Sequence, residues 1–145
     1  MIRKMTAADY DKVYALWISC TGMGLNDIDD SKEGIERFLK RNPETCFVSE
    51  ENGEINGVII AGNDGRRGYI YHTAVSPKQR RRGIATALVN AALSALEREG
   101  ISKSALLVFA RNETANSFWE KQGFTVRTDI IYRNKALREM TRIDT

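Results

Sequence analysis

A chain of 145 residues with 42% hydrophobic and 28% charged side chains has the composition of a soluble globular protein able to bury its own core. Its formal charge of +3 is too small for wholesale nucleic-acid binding, and no apolar run approaches the ~20 residues that cross a bilayer. Its two cysteines, Cys20 and Cys46, lack the paired spacing of a zinc or dithiol site, so no metal is expected and both read as buried thiols in a reducing cytoplasm. The start, MIRKMTAADYDKVY, is charged and interrupted and does not read as a signal peptide. With no repeat, low-complexity tract or Pro/Gly/Ser-rich linker, one domain over 1–145 is expected.

Thr6 and Asp9 form a capping box that opens a helix, with Val13, Leu16 and Trp17 on one face. The segment CTGMGLNDIDD breaks it. Its Gly22-Met23-Gly24 lacks the preceding strand and third glycine of a dinucleotide loop. Asp30 with Glu33 starts a short helix through Ile35, Phe38 and Leu39, ending before Pro43. The runs TCFVSE, INGVIIAG and GYIYHTAV, separated by Asn52-Gly53 and Asp64-Gly65 turns, predict an antiparallel meander.

From Gly83 to Glu99 the spacing of Ile84, Leu88, Ala91, Ala95 and Leu96 predicts a helix closed by Gly100. SALLVFA reads as a short strand covered on both faces. NETANSFWEKQ reads as a helix capped by Asn112 and stopped by Gly123. FTVRTDIIYR and KALREMTR predict two final strands around Arg133-Asn134. The order is helix, helix, three strands, helix, strand, helix, two strands (ααβββαβαββ), an α/β sheet with a strand–helix–strand–helix centre.

The stretch SPKQRRRGIATAL joins the third strand of the meander to the alanine-rich helix. The first turn of a helix carries N–H groups with no internal partner and a partial positive charge, so an anion is stabilised there. Gly83 and the small Ala85 let a phosphate approach the backbone, and Arg80, Arg81 and Arg82 offer planar donors for its oxygens. A charge run in this position is otherwise an ordinary solvated turn. Binding of nucleic acid through Lys78 to Arg82 is disfavoured, because no aromatic residue interleaves with the run.

Arg80-x-x-Gly83-x-Ala85 after a strand ending in Ala74-Val75 resembles the pyrophosphate-binding motif of the GNAT family of N-acetyltransferases. LLVFARNETANSFWEKQGF is similar to a second motif of that family, carried by Asn112, Ala115, Trp119, Gly123 and Phe124. The resemblance covers essentially the whole chain. It implies a mixed, mostly antiparallel, twisted sheet flanked by helices and acetyl-CoA as co-substrate. The coenzyme would be held by Arg80, Arg81, Arg82, Gly83, Ile84, Ala85 and Thr86, by the Val75 backbone, and by Asn112 and Trp119. The implied reaction moves an acetyl group to a primary amine of a small molecule or peptide by direct attack on the thioester. A homodimer is compatible with it. A catalytically weak acyl-CoA-sensing module is the alternative.

Two departures stand out. Trp119 occupies a position where many relatives have a tyrosine, and an indole does not give up its proton at neutral pH. Leu106, Leu107 and Val108 fill a strand where the relatives that acetylate ribosomal-protein alanines carry a glutamate. His72, the one histidine, and Tyr71 are the candidate catalytic residues beside the expected thioester. Strict alternation puts His72 opposite Val75 and Tyr71 on the same face as Val75. The acidic loop Asn26-Asp27-Ile28-Asp29-Asp30 is either a negative rim for a cationic amine or a helix cap made by Asp30. Arg66 and Arg67 belong to a hairpin turn.

Overall fold

Two hairpin turns and two helical connections, one of them long, build the central sheet. The computed structural model describes residues 1–143, so the last two residues of the expected 1–145 domain lie outside the described residues. Strand β1 (Ile2–Lys4) leads to the Thr6 capping box, where the Asp9 carboxylate accepts the Thr6 N–H at 2.8 Å, and α1 (Tyr10–Ile18) follows. After β2 (Leu25–Asn26), α2 (Lys32–Arg41) begins at Ser31, whose hydroxyl accepts the Gly34 N–H at 3.0 Å. The cap is therefore Ser31 and not Asp30. Strands β3 (Phe47–Glu51), β4 (Glu54–Asn63) and β5 (Gly68–Val75) form the expected meander. Helix α3 (Ile84–Arg98) then crosses over to β6 (Ser104–Leu106), which lies parallel to β5. Helix α4 (Glu113–Lys121) and β7 (Arg142–Ile143) complete the chain.

The main sheet runs β1-β3-β4-β5-β6, antiparallel except for its last pair. Its centre is β4, and the continuous apolar run Val58 to Ala61 is explained by burial on both faces. Val58 and Ile60 pack with Val13, Leu16 and Trp17 of α1 and Ile35 and Leu39 of α2. Ile59 and Ala61 pack with Leu88, Val89, Ala92 and Leu96 of α3. Gly57 lets α3 come close, since a Cβ there would lie 2.8 Å from Ile84 Cγ2 and 2.9 Å from Leu88 Cδ1.

The structure departs from the sequence expectation at both ends. Strand β1 was not foreseen. At the other end, residues 125–141 form no strand, and among the described residues of the tail only Arg142–Ile143 pairs, antiparallel with β2 and apart from the main sheet. Strand β6 is thus an edge. It stops at Leu106 instead of running through SALLVFA, and Leu107 is 61% exposed. Alternating apolar residues show that a segment fits a half-buried strand, but the strand forms only where a partner edge is within reach.

Candidate active site

The site begins with an irregularity in β5. Val58 pairs with Ala74 and Ile60 with Tyr71, so Ile59 alone faces both His72 and Thr73. This is a β-bulge, and His72 takes the left-handed conformation with φ 41°. The extra residue inverts the alternation beyond it. Tyr71 meets Phe38 of α2 ring to ring at 5.9 Å, and His72 meets Trp17 of α1 at 5.2 Å, so both side chains lie on the α1/α2 face. Val75 pairs with Gly57, whose missing Cβ points at Ile84 and Leu88, which places Val75 on the α3 face. The expected sharing of a face by Tyr71 and Val75 is therefore wrong, because strict alternation does not survive a bulge.

The same bulge opens the sheet. Strand β6 pairs with β5 only from Gly68 to Ile70, while β5 continues to Val75. A bulge bends its strand and increases the twist, which carries the end of β5 away from β6. A cavity of about 770 Å³ adjoins the end of β5, where its lining residue Cys20 has Sγ 3.7 Å from the Val75 carbonyl. It is lined on one side by Ile18, the last residue of α1, with Cys20, Thr21 and Gly22 beyond it, and on the other by Phe109 and Arg111 to Thr114 before and within α4. Asn112 stands in that wall, where its side chain caps α4 by accepting the Ala115 N–H at 3.1 Å.

At the end of β5 the chain turns through a short 3-10 segment (Pro77–Gln79) into α3. Gly83 is left-handed, φ 77°, and the space its Cβ would enter is open to 4 Å. The Ala87 N–H is bonded to the Gly83 carbonyl, so Ile84, Ala85 and Thr86 supply first-turn N–H groups ahead of any intrahelical bond. That open, left-handed helix start can hold an anion. The three arginines differ. Arg80 folds back, with Nε 3.4 Å from the Val75 carbonyl and Nη2 3.9 Å from Cys20 Sγ. Arg82 binds Glu51 at 3.1 Å and the Gln79 side chain. Arg81 is exposed, with φ 67°. Thr86 accepts from Gln122 at 3.2 Å, tying the ends of α3 and α4 together.

On the α1/α2 face, His72 Nε2 lies 2.8 Å from Asp30 Oδ1. The His72 side chain is 14% exposed and that of Asp30 4%. The other Asp30 oxygen accepts the Asn26 N–H at 2.8 Å, and the His72 carbonyl accepts the Trp17 indole N–H at 3.0 Å. Asp30 is thus neither an exposed rim nor a cap but a buried partner of the one histidine. A carboxylate that accepts from Nε2–H leaves the lone pair of a neutral imidazole on Nδ1. Tyr71 is 42% exposed, and its phenol is raised above its ordinary pKa by burial first and then by Tyr69, Tyr132 and Asp29, so it stays protonated at neutral pH. Trp119 is buried between Phe118 and Phe124 in the core cluster beneath α3.

Sequence reasoning missed Asp30 as a histidine partner, Cys20 beside Val75, and Phe109 and Arg111 in the cavity wall. Only Asp30 left a trace: Ser31, next to it, is an equally good cap and frees the carboxylate for another use.

Among the described residues no helix is long and apolar enough to cross a membrane. Residues 10–124 match the model of the acetyltransferase (GNAT) family. An acetyltransferase of Sodalis glossinidius is 34% identical over 138 residues, covering 95% of this chain and 96% of that protein. Among solved structures, Ard1 from Thermoplasma volcanium aligns with a TM-score of 0.79 at 24% identity, covering 88% of this chain and 84% of that one. The PaiA N-acetyltransferase from Thermoplasma acidophilum, solved with coenzyme A, aligns with a TM-score of 0.76 at 19% identity, covering 88% and 90%. At these identities the two structures speak for the fold, and the family match and the 34% relative speak for descent. The chain belongs to the GNAT family and is an acetyltransferase that takes its acyl group from acetyl-CoA.

Proposed function

We propose that the protein transfers the acetyl group to a primary amine of a small molecule or peptide by direct attack on the thioester. The observation that carries this reading is the parting of β5 from β6 directly beside the open start of α3. The groups present fit the coenzyme. Gly83, with no Cβ over the helix start, and the N–H groups of Ile84, Ala85 and Thr86 suit a diphosphate, with Arg80, Arg81 and Arg82 as its cationic rim. Among the described residues the β5 edge from Tyr71 to Val75 has no strand partner on the β6 side, and it suits the amides of the pantetheine arm. Thr73 Oγ1 in this segment is buried without a hydrogen-bond partner among the described residues. A pantetheine amide at Val75 displaces Arg80 from that carbonyl and frees its guanidinium for phosphate.

Acetyl-CoA supplies a thioester carbon that only a neutral amine attacks. A lysine-like amine (pKa ~10.4) costs about 4–5 kcal/mol to deprotonate at pH 7, and an α-amine (pKa ~8) about 1 kcal/mol. His72, held by Asp30, serves as the proton acceptor, and Tyr71 lines the acceptor side. Backbone N–H groups of the bulged segment polarise the acetyl oxygen. With Trp119 in place of a phenol, the thiolate leaves unaided, as a thiol of pKa ~8.5 can. Holding both reactants in one cavity supplies most of the acceleration.

An amine panel with acetyl-CoA, read by thiol release and mass spectrometry, tests this. At least one primary amine should gain 42 mass units, about one acetyl group, with stoichiometric free thiol. Thiol release without any acetylated amine would refute the reading.

A further inference from the structure

The cavity wall opposite α1 carries charge that acetyl transfer by itself does not need. Phe109 lies between β6 and α4, and two guanidinium groups sit against its ring, Arg111 at 4.4 Å and Arg142 at 5.1 Å from the centroid. Contact with a ring satisfies none of the five N–H donors of a guanidinium. Among the described residues neither arginine has a carboxylate within ion-pair distance, whereas Arg82 and Arg127 each have one and Arg3 has two. Two like charges held at one ring repel unless an anion bridges them.

The place is fixed from both sides. Arg142 is held by the pairing of β7 with β2, in which Asn26 faces Arg142 and Leu25 faces Ile143. Gly24 lies so near Phe109 that a Cβ there would come within 3.3 Å of the ring. Arg111 directly precedes Asn112 and the positive end of α4, a nine-residue helix, which adds to the attraction for an anion. Glu113 lines the same cavity and offers the opposite charge. Arg111 and Glu113 thus line the cavity and Arg142 sits beside it on the Phe109 ring, so that among the described residues two guanidiniums without a carboxylate partner stand near one carboxylate, a pattern complementary to a zwitterion.

Resting on the acetyl-transfer reading above, we propose that the acceptor is an amine that also carries a carboxylate, an amino-acid-type substrate. Its carboxylate is bound by Arg111 and Arg142, and its ammonium is drawn in by Glu113. In the reaction the nitrogen bonds to the acetyl carbon and the carbon–sulfur bond breaks. The proton shed by nitrogen ends on the sulfur or in solvent, so the products are an N-acetyl amino acid and free coenzyme A.

The test compares amino acids with their amides and with the corresponding decarboxylated amines, at saturating acetyl-CoA. Parent, Arg111→Gln, Arg142→Gln and the double variant are assayed side by side. Carboxylated acceptors should be preferred by about tenfold or more in kcat/KM. The double variant should erase that preference by raising the acceptor KM, with kcat on the best amide and the KM for acetyl-CoA unchanged. Equal or better use of the amides or decarboxylated amines by the parent overturns the proposal and leaves acetyl transfer intact. A rise in the acetyl-CoA KM instead of the acceptor KM also overturns it, by assigning the guanidiniums to the phosphates of the coenzyme. Failure with every amine overturns both readings together.

Discussion

Replacing Asp30 by Asn changes one atom in the interior and tests the proposed proton acceptor. The Asp30 carboxylate receives two donors, the Asn26 N–H and His72 Nε2, each at 2.8 Å. An amide has one acceptor and one NH2 group. If its oxygen keeps the Asn26 N–H, the NH2 group faces His72 and favours the tautomer with the lone pair on Nε2 and the proton on Nδ1. The histidine then has no acceptor atom to offer. General-base assistance is worth about 10²–10⁴ in rate, or about 3–5 kcal/mol. Losing a charge-assisted bond also lowers stability, by about 1.5–3 kcal/mol. The assay is kcat/KM for one good amine from pH 7 to 9, with coenzyme A affinity as the control for folding. Asp30→Asn should lose two to four orders of magnitude near pH 7. The deficit should shrink as pH rises through the amine pKa, because solvent then supplies the neutral amine. A purely structural loss would not shrink with pH. Activity within about threefold of the parent at every pH, well under the loss of a general base, would refute the assignment.

Two further outcomes follow from packing and linkage. Gly57→Ala inserts a methyl between β4 and α3, 2.8 Å from Ile84 Cγ2 and 2.9 Å from Leu88 Cδ1. It should cost about 1–3 kcal/mol, seen as a drop of several degrees in Tm, and an unchanged Tm would contradict the close contact. Burial pushes the Cys46 thiol from an ordinary 9.0 up to about 12. Below pH 9 both folded and unfolded chains hold that proton, and above it only the folded chain does, so stability falls as pH rises towards 12. The difference in unfolding free energy between parent and Cys46→Ala should therefore shrink by about 1.4 kcal/mol per pH unit above pH 9. A flat difference would show that the thiol titrates normally.

What the sequence disclosed about this fold was local. Asn52 and Gly53, both with positive φ, mark the β3–β4 hairpin as a dipeptide signal should. The α3 stripe, the Asn112 cap and left-handed Gly83 are likewise features of neighbouring residues along the chain. What stayed hidden depended on distant partners. Strand β1 is three residues long, Ile2 to Lys4, and exists because Ser49, Val48 and Phe47 lie opposite it. The bulge has no glycine or proline to announce it, since His72 itself takes the left-handed conformation. That conformation costs on the order of 1–2 kcal/mol and is held by the Asp30 and Trp17 contacts. Missing the bulge reversed the face assigned to Tyr71 relative to Val75. It also hid the cause of the sheet's opening, although the cradle next to that opening was legible in Arg80-x-x-Gly83-x-Ala85. The tail shows the converse. FTVRTDIIYR has the composition of a strand, yet Val126, Ile131 and Tyr132 are exposed and unpaired with any strand.

Calorimetric titration of coenzyme A into parent and Gly83→Glu reports whether the start of α3 holds the coenzyme diphosphate. Gly83 is exposed with open space at its Cβ, so a glutamate there leaves the core untouched and projects a carboxylate where the phosphates would lie, while its left-handed φ of 77° adds local strain of about 1–2 kcal/mol. The parent should bind in the ~1 μM to 1 mM range usual for enzyme substrates, and the variant, still folded at the assay temperature though lower in Tm, should lose binding by at least about tenfold (~1.4 kcal/mol). Equal affinity in the two proteins, or no heat from the parent at millimolar ligand, would contradict the account.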